Sequence, residues 1–355
     1  MKIRPRPQSA GIALLIVMCA IFVLSILAAG LAYSMKVESR LAMGADTNQR
    51  LVWLGRSGVE LARWVLAQEN CPYDSLNQIW AGGPGSECET NGPLAGLSLD
   101  NYQIGDGTVS VKITDGERFA NINTAPAPEI QQALTLMGVD AGQISVVCDS
   151  IQDWVQPGDA PRIAGAKTDY YQGLNPPYNC KEAPMDDISE LLLVKGIWDH
   201  PEIYWGGAAT NHPGASFQHH LGFGNAPGEA PNYPFGLVDL FTPFSSGKIN
   251  INTAGPDVLQ LIPGVDANVA AGIIKLRAGP DGVEGTEDDT PIGNPGAALQ
   301  SAGDQNPQAG GLVTTRSTTF KVTVTARIGN YKRDFNAILF RNGPTVQVVS
   351  FYWNY

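Results

Sequence analysis

The 355 residues carry 23 Lys and Arg against 34 Asp and Glu, a formal net charge of −11 with 43% hydrophobic residues. That is apolar enough for a folded core and long enough for more than one. Such an acidic chain is unsuited to a phosphate backbone, which needs clustered Lys and Arg, and is better matched to divalent cations.

The first element is a short basic leader, Met1 to Gly11, with Lys2, Arg4 and Arg6 and no acid. It runs into an uncharged apolar segment, Ile12 to Tyr33 (IALLIVMCAIFVLSILAAGLAY). At about 1.5 Å per residue this segment spans the ~30 Å hydrocarbon core of a bilayer. The leader's cations keep it cytoplasmic. Removing them leaves 20 basic against 34 acidic residues, −14. A secretory signal is cut after its apolar stretch, whereas here the small-residue site, Gly11–Ile12, lies before it. In that order the chain resembles type IV pilin-like precursors, whose leader is clipped by a prepilin peptidase and whose helix then serves assembly. An ordinary signal anchor is the alternative. The pilin-like resemblance implies a glutamate at the fifth mature position, where this chain has Ile16.

Helical periodicity continues to about Ala67. Leu41, Ala45, Val52, Gly55, Val59, Ala62 and Leu66 form a narrow stripe, with Arg40, Asp46, Arg50, Arg56, Glu60 and Arg63 around it. One half is expected to pack on its own domain and the other on neighbouring subunits.

Of five cysteines, Cys19 lies in the apolar helix as a filler. Cys71, Cys88, Cys148 and Cys180 include no C-x-x-C pair, so they read as two disulfides of an exported domain. Three pairings are possible; proximity favours Cys71–Cys88 and Cys148–Cys180.

Val109, Val111 and Ile113 alternate with polar residues as a strand with one buried face. Phe320 to Ile328 alternates likewise, Gly329-Asn330 is a two-residue turn, and Tyr331 to Phe340 returns as the partner strand. Thr345 to Trp353 makes a last strand. The middle, about Pro126 to Gln300, reads as helices and loops. A lone strand near 110 needs partners, so the expected fold is α+β. It has a long N-terminal helix on an antiparallel sheet and a large, mainly helical domain inserted in the sheet. The expected division is leader 1–11, membrane helix 12–33 and its continuation 34–69. A pilin-like α/β domain follows from 70–125 and 310–355, with an inserted helical domain at 126–309.

Asn121-Ile-Asn-Thr-Ala125 recurs as Asn250-Ile-Asn-Thr-Ala254, with a proline close behind each. Thr124 and Thr253 are candidate N-caps, and the asparagines candidate turn braces. After the second copy, Pro263-Gly264-Val265-Asp266 resembles a helix-hairpin-helix turn, but Asp266 puts a negative charge where a phosphate would sit. Both copies therefore read as helix-packing units, with a DNA-uptake receptor as the alternative.

The Asp153-Trp154, Asp159, Asp169-Tyr170-Tyr171, Pro176-Pro177-Tyr178 and Glu190-Leu191 series between the repeats resembles the type II secretion system minor pseudopilin family called general secretion pathway protein K. That family also has an Asn-x-Asn-Thr-Ala segment on each side of the block, and it lacks the acidic fifth residue, in agreement with Ile16. The loops Trp205 to Pro234 and Ala278 to Ala309 depart from its pattern.

The resemblance implies a structural subunit, not an enzyme. It would be anchored in the inner membrane with its C-terminal part in the periplasm, and would cap the tip of a short pseudopilus that supports protein export across the outer membrane. Implied partners are minor pseudopilins I and J, the major pseudopilin and the prepilin peptidase, with no nucleic acid. N-methylation of Ile12 is expected after cleavage. A minor pilin of a type IV pilus shares the leader and helix and is the nearest alternative.

The segment GPDGVEGTEDDTP packs Asp281, Glu284, Glu287, Asp288 and Asp289 into nine residues with two glycines. Such a loop can converge carboxylates on calcium at about 2.3–2.6 Å, and the resembled family carries calcium in its helical domain. Asp149, Asp153, Asp159 and Asp169 are expected to cap and brace turns, with a metal site as the alternative. His200, His212, His219 and His220 lack metal-ligand spacing, and no G-x-S-x-G or ordered nucleophile set is present.

Overall fold

The computed structural model describes residues 10–68, 70–89, 92–206, 233–304, 306 and 308–353. His212, His219 and His220 lie outside these residues.

The first helix, α1 (Ala10–Gln68), is 59 residues long, about 88 Å at 1.5 Å per residue. Among the described residues it is the one helix long and apolar enough to cross a membrane. Its two halves differ. Ile12, Leu14, Phe22 and Leu41 are exposed, whereas Leu51, Leu54, Val59, Ala62, Val65 and Leu66 are buried. The predicted stripe thus divides near residue 50: its C-terminal half packs on the chain's own sheet, and its N-terminal half is not covered by any of the described residues.

That sheet has five antiparallel strands in the order β1 (Tyr102–Ile104), β2 (Gly107–Asp115), β7 (Thr319–Ile328), β8 (Tyr331–Asn342) and β9 (Thr345–Tyr352). The strand near 110 finds its partner more than 200 residues on: Val109 faces Ala326, Val111 faces Val324 and Ile113 faces Val322. The hairpin turns at Gly329 (φ +54°) and Asn330, with Ile328 opposite Tyr331. Glycine adopts that left-handed backbone without steric cost. The alternating faces of β2 and β7 put Val109, Val111, Ile113, Val322 and Val324 under α1 in one core.

Between β2 and β7 the chain leaves the sheet and builds a second core of its own. It contains α2 (Ala127–Met137), α3 (Ala141–Val155), shorter helices, and two parallel strand pairs, β3 (Ala120–Asn121) with β4 (Phe241–Thr242) and β5 (Ile249–Asn250) with β6 (Val313–Thr314). The fold is therefore α+β, with the helical body inserted in the sheet.

The insertion has a defined end. Gly107, at the start of β2, lies against Leu54 and Ile328, partway along α1. Asp115, at the other end of β2, sits with Asp74 and Arg341, beyond the C-terminus of α1. The helical body therefore joins the sheet at the end away from the apolar half of α1.

The Cys71–Cys88 disulfide is present, with Cα atoms 5.7 Å apart. It closes a loop that inserts Trp80 into the sheet core, edge-on to Phe320 at 5.3 Å. The predicted Cys148–Cys180 bond is not formed: both are buried free thiols. Cys148 Sγ faces the Ala127 carbonyl of α2, whereas Cys180 Sγ faces the Asp153 carbonyl near the end of α3. The two thiols point at different parts of α3's surroundings, and proximity in sequence did not bring them together.

Candidate functional site

The paired Asn-x-Asn-Thr-Ala segments act as clamps. In each, the first asparagine braces its own turn: Asn121 Oδ1 accepts from the Asn123 amide at 2.9 Å, and Asn250 Oδ1 from the Asn252 amide at 3.0 Å. The second asparagine mimics a strand partner for a distant segment. Asn123 accepts from the Met185 amide at 2.7 Å and donates to its carbonyl at 3.0 Å. Asn252 does the same with Ile292, at 2.8 and 3.0 Å. Two hydrogen bonds per side chain fix each crossing without a continuous ladder.

The threonines do not serve as N-caps. The residues at the cap positions are Pro126 and Gly255, without side-chain capping bonds. Thr253 Oγ1 instead donates to Asp115 Oδ2 at 2.5 Å. Behind the second copy, Pro256 already supplies the first helical position without an N–H.

Between the clamps, Trp154 lies edge-on to Tyr171 at 5.3 Å, and Tyr171 stacks on Tyr178 at 5.3 Å. The polar atoms of this cluster are satisfied. Trp154 Nε1 donates to Glu190 Oε2, Tyr178 Oη donates to the Leu193 carbonyl, and Tyr171 Oη accepts from the Lys195 amide. Burial raises the Tyr171 hydroxyl well above its ordinary range and pushes Tyr178 up to about 12. These are structural phenols, held neutral. Asp153, buried beside Trp154, accepts from the amide and guanidinium of Arg162, and Asp149 accepts from the Ala164 amide. Asp149 and Asp153 thus brace the 156–166 turn, whereas Asp159 and Asp169 are exposed.

Sequence reasoning missed a second polar centre, where the helical body meets the sheet. Asp74, Asp115, Glu117 and Arg341 are all buried. Arg341 forms an ion pair with Asp74. Asp115 accepts from Asn250 Nδ2 at 3.0 Å, from Thr253 Oγ1 and from the Glu117 amide. Glu117 accepts from Thr318 Oγ1 at 2.7 Å and from the Thr319 amide at 3.1 Å. One signal was available: the alternation of Val109, Val111 and Ile113 continues to Asp115, on the buried face.

The acidic loop is folded largely on itself. Asp281 accepts from the Val283 amide, Asp288 from the Asp281 amide, and Asp289 from the Gly285 amide. Thr286 Oγ1 donates to Asp288 at 2.7 Å and lies 3.4 Å from Asp289. That hydroxyl holds the Asp288 carboxyl below its usual range, while burial raises Asp289. Glu284 is paired with the buried Arg277, whose guanidinium also donates to the carbonyls of Ile251 and Ala254. Among the described residues no group of three or more His, Cys, Asp or Glu is placed to hold a metal ion. Asp266 caps the helix Ala267–Arg277, accepting from the amides of Asn268 and Val269. It occupies the helix terminus that would face a phosphate in a helix-hairpin-helix.

Comparison with known proteins bears on this architecture. Residues 110–203 match the family model for type II secretion system protein K. A type II secretion system protein K of Aeromonas hydrophila is 26% identical over 197 residues, 54% of this chain and 60% of the relative. A putative type II secretion system protein K of Escherichia coli (strain K12) is 26% identical over 214 residues, again 54% of this chain and 59% of the relative. The chain thus spans about three fifths of these relatives. The Pseudomonas aeruginosa protein K aligns more fully, at 24% identity over 79% of this chain and 75% of its own length. Among solved structures, a chain in the crystal structure of the GspK–GspI–GspJ complex from enterotoxigenic Escherichia coli superposes with a TM-score of 0.61. It has 15% identity and covers 88% of this chain and 99% of that one. Residues 110–203 therefore carry the domain of type II secretion system protein K, and the chain resembles that family in sequence and in fold.

Proposed function

We propose that this protein is a structural minor pseudopilin that caps the tip of the type II secretion pseudopilus and supports protein export across the outer membrane. Residues 12–33 anchor it in the inner membrane, and the sheet and helical body lie in the periplasm. The observation that carries this reading is the placement of the helical body. It joins the sheet at the end away from the membrane helix, where a bulky head leaves the lower half of α1 free for neighbouring subunits. Ile16 fits the first position of a fibre, since a glutamate there would pair with the amine of a preceding subunit. The partners are minor pseudopilins I and J and, beneath them, the major pseudopilin. The role is one of assembly and not of catalysis.

The processing half of the proposal places prepilin peptidase cleavage between Gly11 and Ile12, followed by N-methylation of Ile12. Calcium at the acidic loop belongs to the same proposal. It is supported by five carboxylates in nine residues, by the close approach of Asp288 and Asp289 to one hydroxyl, and by Gly282 and Gly285 at positive φ. Binding would require Asp281, Asp288 and Asp289 to turn from their present amide partners, with Glu284 staying on Arg277.

The deciding experiment is coexpression of the full chain with a prepilin peptidase and candidate minor pseudopilins I and J. The expected result is copurification of all three, with a mature N-terminus at Ile12. An N-terminus at Met1 or beyond Tyr33, or no association, would overturn the assignment.

A further inference from the structure

The joint between sheet and helical body encloses three carboxylates and one cation. Asp74, Asp115 and Glu117 are each at most 2% exposed, as is Arg341. Arg341 is committed to Asp74 and also donates to the Ser317 carbonyl.

Asp115 is faced by groups from four segments. The loop after α1 contributes Asp74, whose partner is Arg341 of β8, and the turn after β2 contributes Glu117. The second Asn-Ile-Asn-Thr-Ala segment contributes the neutral Asn250 and Thr253, and the approach to β7 the neutral Ser317. Other cations of these segments lie outside the cluster: Arg118 over the ring of Phe119, Lys248 and Arg316 at the surface, and Lys332 and Arg333 at the hairpin end of β8. The joint therefore holds two more carboxylates than cations, and removing two like charges from water is costly unless one carries a proton.

The same groups hold the body to the sheet. Asn250 bonds Asp115 Oδ2, Ser317 Oγ and the Asp74 carbonyl, its amide donates to the Glu117 carbonyl at 2.7 Å, and Thr253 bonds Asp115. We infer that Asp115 is a protonation-set latch at this joint: with Asp115 neutral the helical body is held closed on the sheet, and ionisation beside Glu117 loosens it. Burial first, and the Glu117 charge second, hold the Asp115 carboxyl at about 7. A carboxyl raised above its unfolded value stabilises the closed joint fully below the ordinary carboxylate range. That contribution fades as pH rises through about 7, the reverse of a salt-bridged aspartate.

The test is hydrogen exchange on the full chain in detergent at pH 5.5 and 8.0, corrected for intrinsic exchange. The reporters are the amides of Asn250, Asn252 and Thr319, with Val324 in the middle of β7 as the reference. The opening constant at the joint is expected to rise about tenfold or more between the two pH values, with no comparable change at Val324. Asp115→Asn should abolish the difference. Equal joint protection at both pH values, or a pH dependence that survives Asp115→Asn, overturns the inference. Should that variant fail to fold, Glu117→Gln decides. Removing the facing charge should move the transition to lower pH, and an unmoved transition counts against the latch.

Discussion

Gly55 of α1 lies flat against the ring of Phe335 in β8: a Cβ on Gly55 would stand 2.4 Å from the ring's Cδ2. One turn on, Gly58 has the same relation to Val324 of β7, also at 2.4 Å. At these two positions the helix backbone itself meets the sheet. Gly55→Leu is therefore expected to destabilise the fold by about 1–3 kcal/mol through overpacking, read as a lower urea midpoint. Gly44, with nothing within 4 Å of a Cβ, is the control. Gly44→Ala should be neutral or stabilising by up to ~1 kcal/mol.

The disulfide gives a second prediction. Cys71 and Cys88 are 17 residues apart, and opening a loop of that length costs about 3 kcal/mol in the chain-entropy account. The double variant Cys71→Ser with Cys88→Ser should lose about that much in chemical denaturation. Alkylation of the unreduced, unfolded chain should label Cys19, Cys148 and Cys180 only. A recovered peptide linking Cys148 to Cys180 would refute the two free thiols.

Trp154 anchors the aromatic cluster of the helical body. Trp154→Ala should cost about 3–5 kcal/mol by leaving a cavity against Tyr171 and Tyr178. Trp154→Phe keeps a ring there and loses the Nε1 bond to Glu190, so a smaller loss, near 1 kcal/mol for the hydrogen bond, is expected. Differential scanning calorimetry of both variants separates ring packing from the hydrogen bond.

For the calcium proposal, millimolar calcium should raise the melting temperature of the full chain and a chelator should reverse the rise. Asp288→Ala with Asp289→Ala should erase the difference while preserving the Arg277–Glu284 pair. An unchanged melting temperature with and without calcium would remove the ion from the account.

Local pattern made much of this fold legible. The alternation from Phe320 to Phe340, with Gly329-Asn330 between, specified a hairpin because side chains on one face of a strand recur every second residue. The apolar run from Ile12 and the stripe to Leu66 specified one long helix for the same kind of reason. Thr253 was misread because a hydroxyl's partner depends on what folding brings near it, and Asp115 lies 138 positions away. Arg341 and Asp74 are 267 positions apart, so no window along the chain contains their ion pair. The acidic loop read as a single converging cluster; burial of Arg277, invisible locally, drew Glu284 out of it.

The chain leaves the sheet at Asp115 and re-enters opposite it at Phe320, on adjacent antiparallel strands, where facing Cα atoms are about 5 Å apart. Everything between is thus spliced in through a doorway one strand wide, and its size imposes no strain on the helix or sheet that carries it. A head attached in this way can lengthen, shrink or be exchanged as a cassette while the shaft stays constant. Segments such as the acidic loop are then free to diverge at the rate of a surface and not of a core.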